Sequence, residues 1–300
     1  MAAGLEAELR ERGFAGALRS EAPLAPLTTW RIGGPAELLA TPRDADDLVR
    51  VVRFAGERAI PWRVLGNGSN LLIRDEGVRG LVIRVRKVLD AIRFEGATVE
   101  AGAGASFPQL ANLAAARGLT GLEFGAGIPG TVGGAIVMNA GWHEFEIGNA
   151  VASVTRLEPD GSSATLGREA SAFGYRTSAF RGRPGIVLAA WMALAPDDPA
   201  AVRARLERFA AGRKATQPTE LPSCGSVFLK PEGDFAGRLI EAAGLKGRRV
   251  GGIQISPKHA NFFVNLGGGT AKDALELVGI AESEVARRFG VALTREFELW

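Results

Sequence analysis

The stretch "GAGIPGTVGGAIVMNAG", residues 125–141, sets the tightest limit on what this chain can fold into. Gly125, Gly127 and Gly130 have the G-x-G-x-x-G spacing of a dinucleotide-binding turn. In a Rossmann unit such a turn leads from a strand into a stable helix whose free N–H groups hold a pyrophosphate, and an acid about 20 residues on binds the ribose. Here Pro129 sits inside the motif, and Gly133, Gly134 and Gly141 interrupt the residues that should form that helix. The candidate acids, Glu144 and Glu146, lie in "WHEFEIG", which does not end a strand. The Rossmann reading is therefore disfavoured. In its place stands a glycine-rich turn whose successive N–H groups form an anion nest, capped by one helical turn at Thr131.

A second stretch of this kind, "LGNGSNLL" at 65–72, follows a strand pattern and brackets Asn67 between Gly66 and Gly68, with Ser69 and Asn70 as further donors. Two phosphate-type turns flanking a small β-rich unit suit a long dinucleotide better than a single phosphate. From the residues alone, two ordinary tight turns stay open as the plain alternative.

Around these turns the periodicity predicts a mixed α and β chain. An amphipathic helix is expected over 44–59, where Leu48, Val51, Val52 and Ala55 have helical spacing, and a second near "FPQLANLAAARG", ending at Gly118. Short strands are expected at "IPWRVLG", "GLVIRV", "AIRFEGA" and "TVEAGAG", a hairpin around the Pro-Asp-Gly of "ASVTRLEPDGSSATL", and a buried strand at "GIVLAAWMAL". The helix pattern at 197–218 runs into a proline-bounded linker, a candidate domain boundary. Beyond it come a helix at "DFAGRLIEAAGLKG", a strand at "ANFFVNLG", a long helix from Thr270 and a final strand, "VALTREFELW". There are no internal repeats.

With 300 residues, 46% of them hydrophobic, the chain can bury a full core. Cys224 is its one cysteine, so no intramolecular disulfide forms and a reducing, cytoplasmic setting is expected. The longest apolar run, 185–195, is too short to cross a bilayer, and no membrane association is expected. The net charge of +3 is spread along the chain with no basic block, and there is one tyrosine, so nucleic acid is not an expected partner. No cluster has metal-ligand spacing, and no metal is expected.

Seven motifs, "TTWRIGGPAE", "LGNGSNLL", "GIPGTVGGAIVMNAG", "FGYRTSAF", "PSCGSVFLKP", "KHANFFVN" and "LTREFEL", stand in the order seen in the UDP-N-acetylenolpyruvoylglucosamine reductase family, and together they span nearly the whole chain. The direct run from "YRTSAF" through one strand and one helix to "CGSVF" resembles the shorter, type II form. The resemblance implies an α+β protein: a vanillyl-alcohol-oxidase/PCMH-type FAD-binding fold made of two α/β subdomains, plus a C-terminal α+β substrate-binding domain. The FAD-binding region is placed at 1–210, with subdomains about 1–80 and 81–210, and the C-terminal domain at 211–300. It further implies non-covalent FAD held by both glycine turns, with NADPH as hydride donor. The cofactor residues are then Gly66, Asn67, Gly68, Ser69, Asn70 and Leu71, with Ile128, Pro129, Gly130, Thr131, Gly133, Gly134, Asn139 and Gly141.

In the reaction the resemblance implies, hydride reaches C3 of an enolpyruvyl ether and leaves enolate charge at C2. The protein must then supply a cation and a proton. By resemblance Ser226 is the proton donor, Arg176 pairs with the substrate carboxylate, and Glu296 assists from the opposite side; Tyr175, Lys230 and Lys258 are candidate substrate-binding residues. Glu298 shares a strand face with Glu296, which leaves open which acid points inward. Cys224 reads as a small buried residue, His259 as a structural histidine, and Lys246, Arg248 and Arg249 as a solvated turn or diphosphate ligands. The "GWHEFE" loop after Gly141 departs from the small, glycine-rich continuation usual in the family. A monomer is favoured. Two rivals remain: an oxidase or dehydrogenase on the same flavin fold, and a noncatalytic nucleotide-binding protein.

Overall fold

The computed structural model describes residues 2–300. It divides into two compact units: one made of the N-terminal residues up to Ser20 with Glu37–Asn67 and Arg79–Gly212, the other of Glu21–Ala36, Gly68–Val78 and Arg213–Trp300.

In the first unit, α1 (Ala2–Glu11) and α2 (Ala45–Glu57) accompany a four-stranded sheet in the order Ala17–Pro23, Pro35–Thr41, Val78–Arg84, Trp62–Leu65. The side chain of Asp44 caps α2 by accepting from Asp47 N at 2.9 Å. Leu48, Val51, Val52, Phe54 and Ala55 face the sheet and are almost fully buried, at about 1.5–3 kcal/mol for each large side chain. A second core of the same unit lies under a five-stranded antiparallel sheet, ordered Ser163–Gly167, Val151–Leu157, Ile186–Ala193, Thr98–Gly102, Ile92–Glu95. The Pro-Asp-Gly hairpin and the apolar strand occupy the places their patterns predict; Ile186–Ala193 is the middle strand.

Two helices pack with this second sheet, α3 (Phe107–Ala115) and α4 (Val132–Met138). The latter is longer than the single turn expected at Thr131. Its two internal glycines cost about 1 kcal/mol each relative to alanine. Against that, Thr131 Oγ1 accepts from Gly134 N at 3.2 Å, a cap that contributes about 1 kcal/mol. The N–H groups of Val132 and Gly133 bond to Ala105 O and Ala103 O, both at 2.9 Å, for roughly 1 kcal/mol apiece. Tertiary bonding outweighs propensity. The unit continues into α5 (Pro199–Thr216), where Arg205 reaches the buried Glu123 at 3.0 Å.

The second unit holds a four-stranded antiparallel sheet, Ser223–Ser226, Phe262–Asn265, Ile253–Ile255, Arg249–Val250, with α6 (Ala236–Ala242) and α7 (Ala271–Phe289) over its core. The start of α7 carries a capping box between Thr270 and Asp273. Asp75 adds a second cap, its carboxylate accepting from Ala271 N at 2.8 Å and Lys272 N at 3.0 Å. That contact fixes the 68–78 segment to this unit. Thr29 does the same for 21–36, its hydroxyl donating to Ser223 O at 2.7 Å. The C-terminal segment, expected as one long strand, is a ladder strand only at Glu298–Leu299, parallel to Leu71–Leu72. Before it the chain is held by single bonds, Leu229 N to Thr294 O and Glu296 N to Val227 O, too irregular for a continuous ladder.

No helix among the described residues is long and apolar enough to cross a membrane.

Candidate functional site

The parallel strand Trp62–Leu65 delivers the first glycine turn directly against the second. A Cβ on Gly66 would stand 2.7 Å from Thr131 Oγ1, so only glycine lets the turn approach the cap of α4 this closely. The two turns differ in their amides. Those of Val132, Gly133 and Gly134 are bonded to Ala105, Ala103 and Thr131, as described above. By contrast, no described residue accepts a hydrogen bond from the N–H groups of Asn67, Gly68, Ser69 or Asn70. A run of successive unengaged amides is an anion-binding concavity, which fits the pyrophosphate of a dinucleotide. The Asn70 side chain donates one of its two amide hydrogens to Glu296 O at 3.2 Å.

Also in the first unit, Arg176 sits in the tight loop closed by the Gly174–Thr177 bridge, at φ +54°. Its Nη2 donates to Gly141 O at 2.9 Å and its Nη1 to Asn139 O at 3.4 Å. The exposed ring of Tyr175 lies 5.2 Å from its Cζ. Thus Tyr175, Arg176, Asn139 and Gly141 form one group. Asn139 is 1% exposed, and its side chain bonds to Glu146, Gly174 and Gly148. The atypical "GWHEFE" loop is a hairpin pairing Gly141 with Glu146 and Trp142 with Phe145, and Trp142 and Phe145 both pack on Phe209 of α5.

In the second unit, Ser226 ends the strand Ser223–Ser226, whose register shifts at Gly225, a residue at φ +81° that only glycine adopts without strain. The following residues are pinned by Asn261, whose backbone O accepts from Val227 N at 2.8 Å and whose side chain bonds both Phe228 N and Phe228 O. The C-terminal segment runs beside them, and Glu296 N donates to Val227 O at 2.9 Å. Ser226 and Glu296 therefore lie on adjoining segments. Phe297 turns the other way, buried edge-on to Trp30 at 5.9 Å. Glu296 is the acid whose charge bears on the Ser223–Ser226 strand: burial first, and then the negative charge of Glu296, push the Cys224 thiol far above its ordinary range. Glu298 lies further along, opposite Leu71. Cys224 is thus a buried, protonated thiol with no nucleophilic character.

The remaining candidates are placed as follows. Lys258 Nζ donates to Lys214 O at 2.6 Å and stands 3.9 Å from Glu220, and Lys230 Nζ lies 4.6 Å over the exposed Phe235 ring. Lys246 pairs with Glu241 at 2.8 Å and Arg249 donates to Gly251 O at 2.6 Å. His259 Nδ1 accepts from Asn261 N at 3.2 Å, and burial holds its pKa below the usual value, so it is a neutral ring bearing its proton on Nε2. No group of three or more His, Cys, Asp or Glu side chains able to hold a metal occurs among the described residues. Thr29 and Asn261 carry no role in the sequence reading, Glu146 enters it only as a candidate acid of the disfavoured Rossmann unit, and Asn139 only as a cofactor residue. The "TTW", "KHANF" and "NAG" stretches that contain three of them were the available signal.

Residues 36–167, which contain both glycine turns, match the family model of an FAD binding domain. Fold and turns together define the class, an α+β FAD-binding oxidoreductase. Residues 217–300 match the C-terminal domain model of UDP-N-acetylenolpyruvoylglucosamine reductase. The chain is 48% identical over 285 residues to UDP-N-acetylenolpyruvoylglucosamine reductase 2 of Symbiobacterium thermophilum, covering 95% of this chain and 92% of that protein. It is also 48% identical over 281 residues to the reductase of Rubrobacter xylanophilus, covering 93% and 94%. A crystal structure of the reductase from Thermus caldophilus matches with a TM-score of 0.81 at 39% identity, over 95% of this chain and 98% of that one. The chain belongs to the UDP-N-acetylenolpyruvoylglucosamine reductase family.

Proposed function

We propose that this chain catalyses the NADPH-dependent, FAD-mediated reduction of UDP-N-acetylglucosamine enolpyruvate to UDP-N-acetylmuramate in peptidoglycan synthesis. The observation that carries the reading is the hydrogen bond from Glu296 N to Val227 O, which sets Ser226 and Glu296 side by side in a chain that matches such reductases along nearly its full length. The 66–70 turn, with its unengaged amides, holds the FAD pyrophosphate, and Thr131 backs the turn. FAD, when bound there, would supply the hydride-transfer chemistry that links NADPH to the enolpyruvyl group.

The chain supplies the rest. The planar, permanently charged fork of Arg176 pairs with the substrate carboxylate and spreads the enolate charge that develops as C3 receives hydride. The Ser226 hydroxyl gives its proton to C2. An alcohol is a weak acid, but a carbanionic C2 is a far stronger base than an alkoxide. Glu296 orients the carboxylate or relays the proton on the far side. Tyr175, Lys230 and Lys258 contact the substrate, Lys258 with the ammonium hydrogens that its bond to Lys214 O leaves over. The protein works as a cytoplasmic monomer on small-molecule substrates, without nucleic acid, membrane or metal; the buried thiol of Cys224 suits a reducing compartment.

Anaerobic stopped-flow spectroscopy tests the reading. The protein is reduced with stoichiometric NADPH and mixed with UDP-N-acetylglucosamine enolpyruvate, and fast return of the oxidised flavin band is expected. A yellow protein that NADPH reduces but this substrate does not reoxidise would be an oxidase or dehydrogenase instead. A colourless protein that cannot be reconstituted with FAD would be a nucleotide-binding protein.

Gly66→Ala tests the cradle separately. Its new Cβ must displace Thr131 Oγ1 and break the bond to Gly134 N, so loss of most bound flavin on gel filtration is expected, with a stability loss on the order of 1–3 kcal/mol. Full flavin retention would remove the turn from the cofactor site.

A further inference from the structure

The guanidinium of Arg176 is held by two backbone carbonyls, Asn139 O and Gly141 O, so its aim depends on whatever fixes residues 139–141. Asn139 itself does most of this. It ends α4 in the left-handed region at φ +43°, with its N–H directed to the carbonyls of Ala135 and Ile136. Its buried side chain engages its oxygen and both amide hydrogens: Oδ1 accepts from Gly148 N at 2.9 Å, and Nδ2 donates to Glu146 Oε2 at 2.7 Å and to Gly174 O at 2.9 Å. Gly174 begins the tight loop that carries Arg176. One side chain therefore grips both the segment that holds the guanidinium and the loop it grows from.

The partner Glu146 belongs to the hairpin that departs from the usual family sequence. Gly141 and Glu146 face each other across that hairpin, and Phe145 stacks on Phe124, so the carboxylate is delivered to Asn139 from a fixed ladder. An aspartate at 139 would keep the acceptor toward Gly148 but point a second carboxylate oxygen at Glu146 and Gly174 O. Only an amide satisfies all three partners.

We propose that Asn139, locked by Glu146, is the positioning residue for Arg176, and that its side chain serves the substrate half of the reaction rather than the flavin. The proposal rests on the role given to Arg176 above, and the test separates the two. Asn139→Gly keeps the left-handed backbone and removes only the side-chain bonds. In the FAD-loaded enzyme it is expected to raise KM for the enolpyruvyl substrate and to slow flavin reoxidation by up to about 10²-fold, the cost of a small misplacement. Reduction by NADPH, which carries no enolpyruvyl carboxylate, stays within about twofold.

The same substitution is then made in an Arg176→Ala background, where no further slowing is expected, because a positioning residue has nothing left to position. An Arg176→Ala enzyme that reoxidises as fast as the native one would refute the role of Arg176 itself. Slowing by Asn139→Gly of equal size with and without the arginine would refute the positioning role and leave Asn139 a structural residue. Glu146→Ala provides the second line should Asn139→Gly lose flavin: a smaller slowing in the same direction is expected, restored by Glu146→Gln, whose carbonyl still accepts from Nδ2. No change in Glu146→Ala would count against the lock.

Discussion

Ser226→Ala is expected to leave reduction of the bound flavin by NADPH unchanged and to slow its reoxidation by UDP-N-acetylglucosamine enolpyruvate by about 10²–10⁴-fold, the contribution of a positioned general acid. The substitution is mild for the fold, since Ser226 lies at a register shift after Gly225 and its neighbours are pinned through Asn261 rather than through its own hydroxyl. Single-mixing traces of each half-reaction measure the effect directly. Equal losses in both halves would show that the hydroxyl supports flavin binding or the local backbone, and the proton would have to come from elsewhere.

Arg176→Ala is expected to slow the same half-reaction by about 10²–10³-fold, the loss seen when one stabilising donor at a developing oxyanion is removed, and to raise KM for the enolpyruvyl substrate as well. Arg176→Lys should recover little of this. A lysine at φ +54° inherits the strained backbone but cannot bond Gly141 O and the substrate carboxylate with one rigid plane. The discriminating measurement is kcat against KM for both variants. A lysine variant near native rate would reduce Arg176 to a point charge and remove the geometric argument.

Some of this architecture was legible in the residues. Asp44 before an amphipathic run and Thr270 with Asp273 give local capping signals that no distant contact has to supply, and both helices start where those signals place them. The Pro-Asp-Gly hairpin is equally local. By contrast α4 is concealed, because its glycines read as helix breakers while the bonds that offset them come from Ala103 and Ala105, in the connection between Thr98–Gly102 and α3. The strands Ala17–Pro23 and Pro35–Thr41 hold a single β-branched residue, Thr41, and exist through their place in the sheet. The candidate site divides the same way. Motif order singles out Ser226, Arg176 and Glu296, but no spacing rule shows that Asn70 reaches Glu296 across 226 residues, or that Thr29 reaches Ser223 across 194. The αL turn at Asn139 likewise has no signature beyond an asparagine before a small residue.

The pieces that Thr29 and Asp75 fasten to the C-terminal unit come from early in the chain, separated in sequence by Glu37–Asn67 of the first unit. On a ribosome, residues 21–36 and 68–78 emerge long before the strands and the α7 terminus they dock on, so the Ser226–Glu296 pair cannot assemble until synthesis has nearly reached residue 300. The early segments must be kept from other partners meanwhile, a burden typical of folds rich in distant pairings. For the same reason a fragment cut at residue 213 would lack both fasteners. The C-terminal unit is not a portable module, and exchange between relatives would have to carry three separate stretches of gene together.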